Sequence, residues 1–131
     1  MARIIFDDAN WPVVIVRYPR EITPDEWREH LACLVSLAEK GRPFATLADL
    51  APAPNVHATM RRELVMAMER HDALFRSMII AAAQVVRSPL VRGAMTAVNW
   101  IRPPPFPARS FGDEESAYVW LRERVSERAM V

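Results

Sequence analysis

The sequence predicts an α/β fold with a mixed, mostly parallel five-stranded sheet in the element order ββαβαβαβα. Three observations carry this. Apolar, β-branched runs of strand length alternate with segments whose apolar residues recur at helical spacing. Thr-Pro, Ser-Pro and Gly signals stand where those helices should start and stop. The first two strands lie too close in sequence for a crossover helix, so they form an antiparallel hairpin. Every later strand follows a helix, which implies right-handed crossovers and parallel pairing.

The elements follow in order. Ile4-Ile5-Phe6 is a short first strand, and Asp8-Ala9-Asn10 is a turn. Trp11-Pro12 leads into Val13-Val14-Ile15-Val16-Arg17-Tyr18, a strong strand by its β-branched content. Thr23 caps the first helix, with Pro24 at its first position and Glu26 completing a capping box. Trp27, Leu31, Leu34 and Ala38 form its core stripe, and Gly41 ends it. Phe44 to Asp49 is the third strand. Asn55 caps a second helix over 56–76, with a stripe of Met60, Leu64, Met68 and Phe75. Met78 to Val86 is apolar throughout apart from Gln84 and suits a central strand buried on both faces. Ser88 and Pro89 start a third helix whose core stripe is Leu90, Ala94, Val98 and Ile101, or the adjacent Val91 and Met95. Gly93 is expected to allow close packing there. Pro103-Pro104-Pro105 is a stiff connector. Ala108 to Phe111 is the last strand. A final helix led by Asp113-Glu114-Glu115 presents Ala117, Leu121 and Val125 inward, with Trp120 beside them.

Composition sets the outer limits. With 131 residues the chain fits one domain, 1–131, and can bury a core without a staple. Seventeen basic against sixteen acidic residues leave no electrostatic footprint for nucleic acid. All the basic residues but Lys40 are Arg, and they are dispersed along the chain. One Cys excludes an internal disulfide and a Cys-rich zinc site. Three Gly leave no material for a phosphate-cradling loop, so no cofactor is expected. No apolar run reaches the roughly 20 residues of a membrane-spanning helix. The acidic Asp7-Asp8 cuts short any signal-peptide core, and the free thiol suits a cytoplasmic location.

Candidate chemistry is sparse. Asp49 ends a central strand, and in open α/β sheets pockets form beyond the carboxyl ends of strands. Asp49, Asn55, His57, Arg87 and Ser88 fall along that edge, where Arg87 would pair with Asp49 or hold an anion near the helix that Ser88 caps. The plainer reading is that Asp49 caps a turn and Arg87 is solvated. The His residues lack a helical metal-site spacing; His30 is expected at the surface. Cys33 reads as a buried, inert thiol. The third helix carries Val91, Met95, Val98 and Trp100 beyond its core stripe, and a helix apolar around much of its circumference is buried or docks something.

Four segments carry a family resemblance: Trp11-Pro-Val-Val-Ile-Val-Arg-Tyr-Pro, Gly41-Arg-Pro-Phe-Ala, Ser88-Pro-Leu-Val-Arg-Gly-Ala, and Pro103-Pro-Pro-Phe-Pro-Ala-Arg-Ser-Phe. With the leading hairpin, they resemble the STAS or SpoIIAA-like domains of anti-anti-sigma factors, in particular small stand-alone bacterial members. The resemblance spans nearly the whole chain, and its motifs are caps and connectors that specify a fold more than an activity. In phosphorylated members, an Asp-x-Ser-Gly-like turn after the third strand carries the switch. Here that region reads Asp49-Leu-Ala-Pro-Ala-Pro-Asn-Val-His-Ala-Thr59, without that turn; Thr59 is the one hydroxyl near its place.

The resemblance implies a non-enzymatic regulatory or protein-interaction module whose partner is another protein or a second copy, as a homodimer. The alternative is a binder of a small apolar ligand or lipid at the strand carboxyl ends, by fold-level analogy with CRAL-TRIO proteins. An enzyme centred on Asp49, His57 and Arg87 is the weakest of the three classes.

Overall fold

The computed structural model describes residues 3–52, 56–101 and 103–129. Its strands are β1 (Ile5–Asp7), β2 (Val13–Arg17), β3 (Phe44–Asp49), β4 (Ile79–Val85) and β5 (Ala108–Phe111). Its helices are α1 (Pro24–Glu39), α2 (Ala58–Arg70), α3 (Asp72–Met78), α4 (Pro89–Ile101) and α5 (Glu114–Ala129). The strands lie side by side in chain order. β1 is antiparallel to β2, and β2 to β5 are mutually parallel. This is the mixed, mostly parallel sheet expected from the sequence.

Strand alternation divides the core. Val13 and Ile15 of β2, Ala45 and Leu47 of β3, and Ala81, Ala83 and Val85 of β4 face α5, which answers with Ala117 and Leu121. The opposite face carries two further clusters. Val16, Tyr18, Trp27, Leu31 and Met60 gather under α1 and α2. Val14, Ala38, Phe44, Phe75 and Ile79 gather under α1 and α3. At the start of α1, Thr23 Oγ1 accepts from the Glu26 amide (3.1 Å), with Pro24 in the first turn. Gly41 follows α1 at φ 77°, where a side chain would be strained.

Several expectations need correction. The single helix over 56–76 is two helices, broken at His71 (φ −113°, ψ 29°), and Met78 ends α3 instead of opening β4. The break serves two different clusters: α2 buries Met60 beside Trp27, while α3 turns Phe75 into the cluster around Phe44. His57 stands at the N-cap of α2 and makes no side-chain cap bond. Asn55, the expected cap, lies outside the described residues. His30 is buried, 6% exposed, because it follows Trp27 by three residues on the packed face of α1. Cys33 is half-buried. Burial nonetheless raises its thiol pKa, with Lys40 pulling the other way.

The largest correction concerns α4. Its expected core stripe lies in solvent: Leu90 is 85% exposed, Ile101 82% and Val98 59%. Among the described residues α4 buries no side chain fully. Gly93 does not mediate close packing either, since a Cβ there would meet nothing within 4 Å. The reason lies beneath the helix. On that face, β4 and β5 present Ala82, Gln84, Ala108 and Ser110, small or polar side chains that offer little apolar surface to cover.

Candidate functional site

The carboxyl edge of the sheet is organised by a residue the sequence reading did not single out. Arg17 ends β2 in register with Asp49 at the end of β3. Arg17 Nη1 donates to Asp49 Oδ2 (3.3 Å) and to Glu114 Oε2 (3.2 Å), and its Nη2 donates to Glu114 Oε1 (3.0 Å). The forked guanidinium thus joins two strand ends to the first turn of α5. The hydrogen bond to Glu114 is the main cause that raises the Arg17 pKa above its ordinary value. Asp49 Oδ1 accepts the Ala51 amide (3.2 Å), so the carboxylate also closes its own turn.

The sequence held a signal for Arg17. Period-two alternation aligns it with Val13 and Ile15 on the face that α5 covers. A cation ending that row, opposite an acidic helix start, has an obvious carboxylate partner.

The residues singled out along this edge are otherwise not drawn together. Among the described residues, no hydrogen bond or ion pair joins Asp49 to His57, Arg87 or Ser88. His57 and Thr59 are exposed at the start of α2, and the Arg87 side chain is exposed. Ser88 performs the capping role expected of it: its Oγ accepts the Val91 amide (3.3 Å). The Arg87 carbonyl accepts from Arg92 Nη1 (2.9 Å), which also reaches the Val86 carbonyl (2.6 Å). Two concavities open elsewhere. One, of about 520 Å³, lies between α1 and α2 and includes Val35, Met66 and Ala67; the other lies beside Ile80, Pro107 and Arg124. No cluster of His, Cys, Asp or Glu with metal-binding geometry occurs among the described residues.

His30 belongs to the interior. Its Nδ1 lies 3.1 Å from the Trp27 carbonyl, which can only accept, so Nδ1 carries the proton. Nε2 therefore accepts from the Tyr18 hydroxyl at 2.7 Å. Trp27 Nε1 donates to the Met60 carbonyl (2.9 Å) and ties α1 to α2. Desolvation lowers the His30 pKa to about 4, against the weaker raising effect of the Trp27 carbonyl. Burial likewise pushes the Tyr18 hydroxyl pKa well above its ordinary value.

The surface feature that remains is α4. At about 3.6 residues per turn, Leu90, Ala94, Ala97 and Ile101 share one side and Arg92, Met95 and Asn99 the other. The second side faces the body of the protein. Arg92, Met95 and Asn99 are partly buried, and Ser110 Oγ lies 3.7 Å from Met95 Sδ. The first side faces water. Trp100, 82% exposed, flanks it on one margin, with Val91 and Val98 on the other. The amphipathic helix is thus largely inverted, with Arg92 and Asn99 inward around Met95 and the other large apolar groups outward. Of the expected interface residues, Val91, Val98 and Trp100 are exposed and Met95 is turned inward.

No helix among the described residues is long and apolar enough to cross a membrane. No protein-family model matches the chain, and no curated protein matches it. A solved structure does. It is an uncharacterised protein of the DUF3478 family with a SpoIIAA-like fold, from Shewanella loihica, at TM-score 0.67 and 16% identity, covering 92% of this chain and 95% of that one. At that identity the likeness speaks to the fold, and it agrees with the hairpin-led sheet and its helices: the chain has a SpoIIAA-like fold.

Proposed function

We propose that this chain is a non-enzymatic regulatory or protein-interaction module on a SpoIIAA-like scaffold, and that its contact surface is the outward side of α4. The inverted helix carries this reading. Leaving a Leu, Ile or Trp in water forgoes about 1.5–3 kcal/mol each relative to full burial. A contiguous exposed group of such residues marks an interaction surface. The carboxyl edge supports the same reading, since Asp49 is engaged by Arg17 and by its own turn. A reducing cytoplasm suits the half-buried free thiol of Cys33.

The test is photo-cross-linking in cells. A photoreactive residue replacing Val98 should give a discrete protein adduct, and Leu90→Asp with Ile101→Asp should abolish it. The same probe at exposed Arg122 on α5 is the control. Cross-linking at Val98 no stronger than at Arg122 would overturn the reading.

A further inference from the structure

We infer that the outward side of α4 is covered by a second copy of this chain, with the two β5 strands paired edge to edge across a two-fold axis. The inference rests on the reading of α4 as a contact surface and names its occupant.

The first support is an open sheet edge beside the helix. β5 is the last strand and pairs with β4 alone. The Ala82 amide donates to the Pro107 carbonyl (2.9 Å) and the Val86 amide to the Phe111 carbonyl (2.8 Å). In a parallel ladder this turns the main-chain groups of Pro107, Arg109 and Phe111 toward β4. Those of Ala108 and Ser110 then point to the open side, where another strand can pair with them. α4 leans on β5 more than on any other strand, so its exposed side and the open edge belong to one margin of the molecule.

The second support is charge. The outward side of α4 is formed by Leu90, Ala94, Ala97 and Ile101, flanked by Val91, Val98 and Trp100, none of them ionisable. A copy of itself meets no like-charge repulsion there. A membrane surface suits the helix less well. Helices that lie on lipid carry a basic polar side. In α4 that side holds Arg92, already committed to the Val86 and Arg87 carbonyls.

The third support is area. The exposed portions of Leu90, Val91, Val98, Trp100 and Ile101 amount to roughly 650 Å² of mostly apolar surface per copy. A standard interface buries about 800 Å² per partner. The helix side thus supplies most of it, and the β5 edge with its proline-rich approach lies where the rest is needed. A four-residue strand alone would be too short to hold two copies together.

Charge also selects the register. A two-fold axis normal to the sheet keeps each face on its own side, so residues opposite one another must share a face. Placing Arg109 at the axis would set two guanidinium groups side by side. Placing Ser110 at the axis sets each Arg109 opposite the other copy's Phe111. Arg109 already lies 5.2 Å from the centre of its own Phe111 ring, so the cation is in position to stack on aromatic surface.

Two measurements on the intact chain test this. Light scattering and sedimentation should give a dimer, which Trp100→Asp or Ile101→Asp weakens by roughly tenfold or more while the far-UV spectrum is kept. In a Cys33→Ser background, Ser110→Cys should form an intermolecular disulfide on mild oxidation and Arg109→Cys should not. Residues directly opposed in a bonded antiparallel pair stand about 5.5 Å apart, within disulfide reach. A monomer at every soluble concentration overturns the inference. So does a dimer that the α4 substitutions leave intact, or one that Ser110→Cys fails to cross-link. A monomer whose Val98 adduct is a different protein overturns the second copy and leaves the contact surface standing. A monomer that binds phosphatidylglycerol vesicles through Trp100 overturns the inference in favour of lipid. A monomer with no Val98 adduct overturns both.

Discussion

α4 and α5 flank β5 and bury very differently. α5 is the more polar helix, yet Ala117 and Leu121 are fully buried against β2, β3 and β4. α4 is the more apolar and the more asymmetric, yet none of its described residues is fully buried. The lesson is that an apolar stripe marks a face suited to burial, without saying whether or against what the chain itself buries it. α5 meets a sheet face of Val13, Ile15, Leu47 and Ala83, which accepts a helix along its length. α4 meets Ala82, Gln84, Ala108 and Ser110 and turns its polar side to them.

The contrast breaks most visibly with matched truncations. Leu121→Ala should cost about 2–5 kcal/mol in equilibrium denaturation, because it opens a cavity between α5 and three strands. Stability unchanged within error would mean that α5 is not the cover of that face.

Acid should sharpen the picture on the other face, where His30 packs inward from α1. Its folded-state pKa of about 4 lies below the ordinary value of 6.5. Above pH 6.5 the group is neutral in both states and costs nothing. As pH falls from 6.5 toward 4 the unfolded chain takes up the proton first, so stability drops by up to about 3 kcal/mol. The protonated Nε2 also loses its ability to accept from Tyr18. Acid acts on more of the chain than His30, so the check is a difference. The melting profile of His30→Phe should fall less steeply between pH 6.5 and 4 than that of the parent. Parallel profiles would refute the assignment.

Arg17→Met comes next, at about 1 kcal/mol, since the guanidinium is 42% exposed and solvent screens it. High salt should shrink the difference between the two chains if the loss is electrostatic. The smallest effect belongs to α4. Leu90→Ser and Ile101→Ser, measured at concentrations where the chain is monomeric, should each change stability by no more than about 0.5 kcal/mol. A loss near that of Leu121→Ala would place these side chains in the chain's own interior.

Much of the fold was legible because its signals are local. The limits of β3 follow from its mostly apolar run, those of β5 from the proline-rich connector before it and Gly112 after it, and Thr23 and Ser88 cap as their positions require. What escaped was relational. The break at His71 has no Gly or Pro to mark it; it exists because Met60 and Phe75 serve separate clusters. The orientation of α4 depends on side chains of two distant strands. Asp49 was visible as a strand-end carboxylate, but its partner Arg17 lies 32 residues earlier and becomes apparent only when β2 and β3 are paired in register.

The tie made by Arg92 has a kinetic consequence. Its guanidinium anchors the start of α4 to the Val86 and Arg87 carbonyls and lies where a Cβ at Gly112 would come within 3.1 Å of it. Rolling the helix to hide its apolar side would break those bonds. The face is therefore held ready-made, and a partner docking as proposed would wait for no rearrangement. Association should proceed at the ordinary docking rate, roughly 10⁵–10⁷ M⁻¹s⁻¹, and substitutions on the face should act through the lifetime of the complex.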